Sequence, residues 1–238
     1  AFFQVFQPRG GGKRQAPTFD VIAPGVAKHE EEIVLAPGAE PAADPNLMLR
    51  VAVAAAEFGL PIAPGTLRNL KKCPIGDRNW TDESRELFIR LLASGPALLN
   101  VWEDIDFIDV PGKLIPEWLG VRNRPSASAA HRYTIDRHMV EVVTRLGRET
   151  PSGGRYDDRH YEALLLAGIL HDIGKRPGVA NHAAEGARHA TVVVERMGFD
   201  RDIVRWVTLL VREHLTLSEF ATGRNPNDPN VGDDLAGR

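Results

Sequence analysis

An imidazole directly followed by a carboxylate, His171 and Asp172, lies in the segment ILHDIGK at residues 169–175, and His138 and His214 flank it at a distance in sequence. Imidazole and carboxylate together suit Mn, Fe, Zn or Mg. A cation so held acidifies bound water and neutralises charge on phosphoryl oxygens, which is hydrolytic chemistry. A carboxylate turned inward is costly unless paired or coordinated, so a metal is a reasonable neutralising partner for Asp172. Taken singly, a buried histidine usually satisfies a backbone acceptor. What points to a site is the recurrence of histidine on the apolar faces of consecutive helices.

Those faces are read from period. Ile135, Met139, Val142, Val143 and Leu146 fall at i, i+4, i+7, i+8 and i+11, a helix over about residues 134–148 with His138 inside its stripe. Residues 151–154 form a glycine-rich loop, after which Glu162, Leu165, Leu166 and Ile169 mark a second helix ending at Gly174, with His171 and Asp172 in its last turn. A third, about 183–197, buries Ala187, Ala190, Val194 and Met197 and stops at Gly198. A fourth starts near Asp200 and stacks Ile203, Val207, Leu210, Val211 and His214. Upstream, Leu47, Val51, Ala54, Ala55 and Phe58 share a face over residues 47–58, which Gly59 and Pro61 close. Thr81 is the N-cap of a helix carrying Leu87, Phe88, Leu91 and Leu92, and another spans 97–105. Residues 19–23, 26–28 and 32–35 are short extended runs, as in a small hairpin or meander.

The predicted fold is mostly α: a flexible connector over residues 1–18, a helical region with a small β element over 19–130, and a helical bundle over 131–238. The opening residues lack the basic and small-residue features of a signal peptide, and the chain reads as an excised fragment. Composition excludes several classes. With 43% apolar residues among 238 the chain is not a disordered tail. Twenty-nine Lys and Arg against 32 Asp and Glu give a net charge of −3, with no overall field for nucleic acid or anionic lipid. The longest apolar run, residues 163–170, is far short of the ~18–20 residues of a membrane span. The single Cys73 allows no internal disulfide and no cysteine-ligated zinc, which reads as a reducing cytoplasm.

His138, ILHDIGK, His182 and His214 together resemble the HD phosphohydrolase superfamily. LIPEW (114–118), HRYTIDRH (131–138), the helix after Asn181 and His182, REHLTLSEFAT (212–222) and the stretch EIVLAPGAEPAADPNLMLRVA (32–52) resemble a narrower group, the bifunctional PII uridylyltransferase/uridylyl-removing enzymes. The resemblance covers about residues 24–238 and implies an accessory helical region followed by an HD domain. It further implies a parent chain with a nucleotidyltransferase domain and ACT domains, whose patterns are missing here. The activity it implies is removal of UMP, or AMP, from a tyrosine of the PII signalling protein, the nucleotidylated form of which would be the partner, with neither nucleic acid nor a membrane involved.

A phosphodiester to tyrosine has a phenolate leaving group, so the tasks are making hydroxide at neutral pH and neutralising charge. His138, His171 and Asp172 are the expected metal ligands, with Mn or Mg as the leading divalent ions and Fe or Zn also compatible. Lys175 is placed to stabilise developing charge; Arg176 is read as a helix C-terminal cation countering the dipole. His182 and His214 could ligate a second metal, contact phosphate or serve as the general acid, against a plain core role. Asn225 stands where the pattern has its last Asp, so the expected site depends on a weaker amide ligand or on Asp228 swinging in. The alternatives are another HD hydrolase acting on free nucleotides or an alarmone, and a metal-poor regulatory module. His29, His160 and His189 are expected to be solvated, the four tryptophans to be packing residues, and Arg122, Arg124, Arg132 and Arg137 to form a basic surface run near His138.

Overall fold

The change of hydrophobic period from two to 3.6 near residue 44 becomes a change from sheet to helix. A computed structural model describes residues 18–74, 80–126, 133–147 and 158–223. Three short strands, β1 (Asp20–Ala23), β2 (Val26–His29) and β3 (Glu32–Leu35), form an antiparallel sheet in the order β1-β2-β3. Gly25 makes the first turn at φ 74°, where a Cβ would stand 2.7 Å from Leu47 Cδ1, so only glycine lets the sheet close down on the first helix.

Helices α1 (Leu47–Phe58), α2 (Pro64–Leu70), α3 (Asp82–Leu92), α4 (Ala97–Phe107) and α5 (Val110–Leu114) follow, then a 3₁₀ turn at Pro116–Gly120. The second group is α6 (Ile135–Leu146), α7 (Asp158–Leu170), α8 (His182–Arg196), α9 (Arg201–Glu213) and α10 (Thr216–Gly223). Thr81 caps α3 as expected: its hydroxyl accepts from the Ser84 amide at 3.1 Å while the Ser84 hydroxyl accepts from the Thr81 amide at 3.1 Å. α2, α5 and the 3₁₀ turn were not legible from period, being too short to display one. The expected connector, the glycine-rich loop at 151–154 and the expected boundary near residue 130 lie outside the described residues, Thr18 apart.

A continuous apolar core runs through both groups, from Val26, Leu47 and Phe88 through Trp118 and Met139 to Leu166, Val194 and Val207. Polar ties reinforce it. Arg196 meets the Glu117 carboxylate with two bonds of 2.9 and 2.6 Å, and Arg176 Nη2 donates to the Glu117 carbonyl at 3.0 Å. Burial pushes the Glu117 carboxyl up, but the Arg196 hydrogen bonds outweigh it and hold the group ionised below its ordinary range. Arg176, expected to counter a helix dipole, is thus a tether between the HD segment and LIPEW. The tryptophans pack in or against the core as expected.

Other expectations need correction. Phe58, placed on the buried face of α1, is 47% exposed at the helix's last position, and Lys28 Nζ lies 4.7 Å over its ring. The basic run is not simply solvated: Arg122 pairs with Asp106 and Asp109, and Arg137 with Glu103 and Glu141. His189 is largely covered, its Nε2 3.0 Å from Glu185.

Candidate metal centre

α7 ends at Leu170, not at Gly174, and His171, Asp172, Ile173 and Gly174 form a tight turn beyond it. The reason is backbone proximity. A Cβ on Gly174 would lie 2.3 Å from Gly186 N and 2.4 Å from His182 O, so the turn and the first turns of α8 touch main chain to main chain. That approach brings His182, at the start of α8, to Asp172. Gly174→Ala should therefore lower stability by about 3 kcal/mol as an overpacking change, a fall of roughly 6–12 °C in the unfolding midpoint. Thermal unfolding by circular dichroism measures it.

The helix ends also aim the imidazoles. The last carbonyls of an α-helix lack intrahelical partners. His171 Nδ1 donates to the Gly168 carbonyl at 2.9 Å, and His214, just past α9, donates from Nδ1 to the Val211 carbonyl at 2.7 Å. Each bond fixes the tautomer with the proton on Nδ1 and turns the Nε2 lone pair away from the helix. Both lone pairs face Asp172.

Asp172 is 3% exposed and its oxygens divide the surroundings. Oδ2 accepts from Lys175 Nζ at 3.1 Å and lies 3.6 Å from His171 Nε2. Oδ1 lies 3.5 Å from His214 Nε2 and 3.7 Å from His182 Nε2. The His138 and His171 rings are 5.1 Å apart, His171 and His214 5.2 Å, His182 and His214 5.6 Å. Donor atoms of His138, His171 and Asp172 gather within 4.8 Å of one another, as do those of Asp172, His182 and His214, so the carboxylate belongs to both sets.

The charge states follow from these neighbours. Burial drives the His171 pKa down to about 4 against the opposing pull of Asp172. Burial likewise lowers His182. On His214 burial acts downward, but the Asp172 carboxylate beside it prevails and raises the pKa. Burial pushes Asp172 up, yet His214, His171 and Lys175 outweigh it and keep the group ionised well below the usual carboxylate range.

Asp172 Oδ1, His182 Nε2 and His214 Nε2 are buried without a hydrogen-bond partner. Buried polar atoms are normally paired. Three orphans meeting at one point, two of them imidazole nitrogens and one a carboxylate oxygen, match the donor set of a first-row divalent cation. Their 3.5–3.7 Å separations are long for hydrogen bonds, whereas atoms each ~2.0–2.2 Å from a shared ion stand roughly 3–3.5 Å apart. The residues present fit a metal. Asn225 and Asp228 lie outside the described residues.

On the side of His138, His171 and His214 an open groove of about 430 Å³ is walled by Val142, Leu146, Leu164, Ala167, Leu210 and Leu215. Leu210, assigned by period to the core, is 40% exposed on this wall. No sequence signal separates a leucine that fills a core from one that lines a groove. No helix among the described residues is long and apolar enough to cross a membrane.

No protein-family model matches the chain. Curated proteins do. It is 40% identical over 224 residues to a bifunctional uridylyltransferase/uridylyl-removing enzyme of Streptomyces coelicolor, covering 93% of this chain and 26% of that protein. Proteins of the same description from Mycobacterium tuberculosis (39% over 208 residues; 87% of this chain, 25% of the relative) and Corynebacterium glutamicum (32% over 195; 81% and 27%) are also similar. The chain spans about a quarter of the length of these relatives.

Proposed function

This chain is homologous to one segment of the bifunctional uridylyltransferase/uridylyl-removing enzymes, and from that kinship we propose that it is their hydrolytic segment, a metal-dependent HD-type phosphodiesterase that removes UMP, or AMP, from a tyrosine of nucleotidylated PII protein. The observation that carries this reading is the convergence of four histidines on one buried, ionised aspartate whose outer oxygen has no hydrogen-bond partner. His138, His171 and Asp172 would hold one divalent cation, with His182 and His214 completing that site or a second one through the shared carboxylate. When bound, such an ion acidifies water and draws electron density from the phosphoryl oxygens.

The chain's own groups do the rest. Gly168 and Val211 lock the imidazole tautomers that present lone pairs. Lys175 neutralises the carboxylate on its inner side and keeps Asp172 in place. The Asp172 carboxylate, which raises the His214 pKa, places this imidazole to give its Nε2 lone pair to the ion or, where the ion leaves that nitrogen to a proton, to protonate the departing phenolate. In the balanced step, water oxygen bonds to phosphorus, the P–O bond to the tyrosyl oxygen breaks, and nucleoside monophosphate and free tyrosine hydroxyl are released.

Among the described residues the groove beside the histidines is open. An open groove suits a residue presented on a protein better than a free nucleotide, which an enclosed pocket would surround. The test uses this chain with Mn or Mg and uridylylated PII. Release of UMP from the protein is the expected result; turnover confined to free nucleotides or an alarmone, or no turnover at all, would overturn the reading.

A further inference from the structure

We propose that the groove beside His138, His171 and His214 receives the aromatic ring of an aryl phosphodiester, so that Leu210 and Leu164 select aryl over alkyl leaving groups. The proposal rests on the phosphodiesterase reading above and names the half of the substrate that this wall contacts. A nucleotide ester of tyrosine has two arms leaving the phosphorus. The nucleoside arm carries a base edge and sugar hydroxyls, all of which need hydrogen-bond partners once out of water. The tyrosyl arm, with its oxygen already in the ester, is hydrocarbon out to the backbone.

The described wall matches the second arm alone. Val142, Leu146, Leu164, Ala167, Leu210 and Leu215 have no hydrogen-bonding side-chain atom, and the Gly168 carbonyl is already taken by His171 Nδ1. Among the described residues polar side chains reach the groove only through the histidines, at the end where the phosphoryl group would lie. Its volume, about 430 Å³, falls within the ~300–1,000 Å³ of ordinary ligand clefts. The edge-on contacts of His171 with His138 and His214 set three further ring faces and edges beside the space, the environment in which aromatic rings pack well. Leu209 and Leu217, 50% and 69% exposed on α9 and α10, extend the apolar surface of the two elements that supply Leu210 and follow it, as expected where the tyrosine arrives attached to a polypeptide.

Two small esters of uridine 5′-monophosphate, phenyl and trifluoroethyl, test this in the presence of Mn. The readout is the ratio of their kcat/KM values in the same protein, which cancels the intrinsic difference in leaving-group ability when variants are compared. Leu210→Asn, on a partly exposed position that folding tolerates, should lower the phenyl-to-trifluoroethyl ratio by about tenfold or more, and Leu210→Met should keep it within about twofold, the range expected when an apolar contact is lost or conserved. Leu164→Asn should act in the same direction as Leu210→Asn. A ratio unmoved by both asparagine variants, with both esters still cleaved, overturns the groove assignment and leaves the phosphodiesterase reading standing. Failure of the unaltered chain to cleave either ester while it still releases UMP from uridylylated PII overturns the groove assignment alone, and failure on all three substrates overturns both.

Discussion

Asp172→Asn should strip the chain of divalent metal and lower release of UMP from uridylylated PII by about a thousandfold or more, the equivalent of the several kcal/mol a cation contributes to charge stabilisation at a phosphoryl group. The substitution keeps side-chain volume and one oxygen, and changes charge. Asp172 is the carboxylate common to both donor sets, so neither set keeps its anion. The remaining groups are imidazoles and Lys175 Nζ at 3.1 Å, whose cation would then repel a metal with nothing between them. Metal content after dialysis, read by mass spectrometry beside the UMP assay, separates the steps. A variant that keeps stoichiometric metal and the original rate would remove Asp172 from the chemistry. Helical circular dichroism should stay unchanged, because the turn is held by the contact of Gly174 with α8 and not by the carboxylate.

Much of this site is visible in the sequence because helical period converts spacing into direction. His138 among Ile135, Met139 and Val143, and His214 after Val207 and Val211, had to point inward if those residues did, and they do. Thr81, Gly59 and Asp200 mark helix ends by their own chemistry, which is why α1, α3 and α9 fall at or within a residue of where they were expected. The end of α7 escaped this reasoning. Nothing in LHDIGK says that Gly174 must pass against Gly186; that is a contact between segments with no local signature, and it converts the expected last helical turn into a free turn. The pairing of Arg196 and Arg176 with Glu117 escaped for the same reason, since charges distant in sequence carry no mark of their partners. Leu210 shows the limit from the other side: period gives the face of a helix, and the face of α9 that meets the core continues past it to the groove.

The same burial that makes His171 a neutral donor should make the metal-free protein sensitive to acid. Its folded pKa, about 4, lies below the 6.5 of an exposed histidine. Between those values the unfolded chain binds a proton that the folded chain refuses, so stability must fall as pH drops from 6.5 towards 4. The span corresponds to about 3 kcal/mol for this group, fully felt below pH 4 and absent above pH 6.5. His214 acts oppositely: its folded pKa is raised, so it contributes stability in acid that is lost as pH rises through that value, and it offsets part of the His171 effect. Asp172, held low, adds a second loss only in stronger acid, as pH falls through the carboxylate range. Urea unfolding of chelator-treated protein should therefore show a shallow decline from pH 7 to 6 and a steeper one towards pH 4.5. His171→Asn, which cannot titrate, should flatten that decline and, despite its lost contacts, narrow the gap to the unaltered chain as the solution becomes acid; a parallel decline would mean that His171 is not the residue responsible. Loading with metal should steepen the dependence, because the ion needs imidazole nitrogens that acid protonates, and affinity should fall by about tenfold for each pH unit per proton displaced.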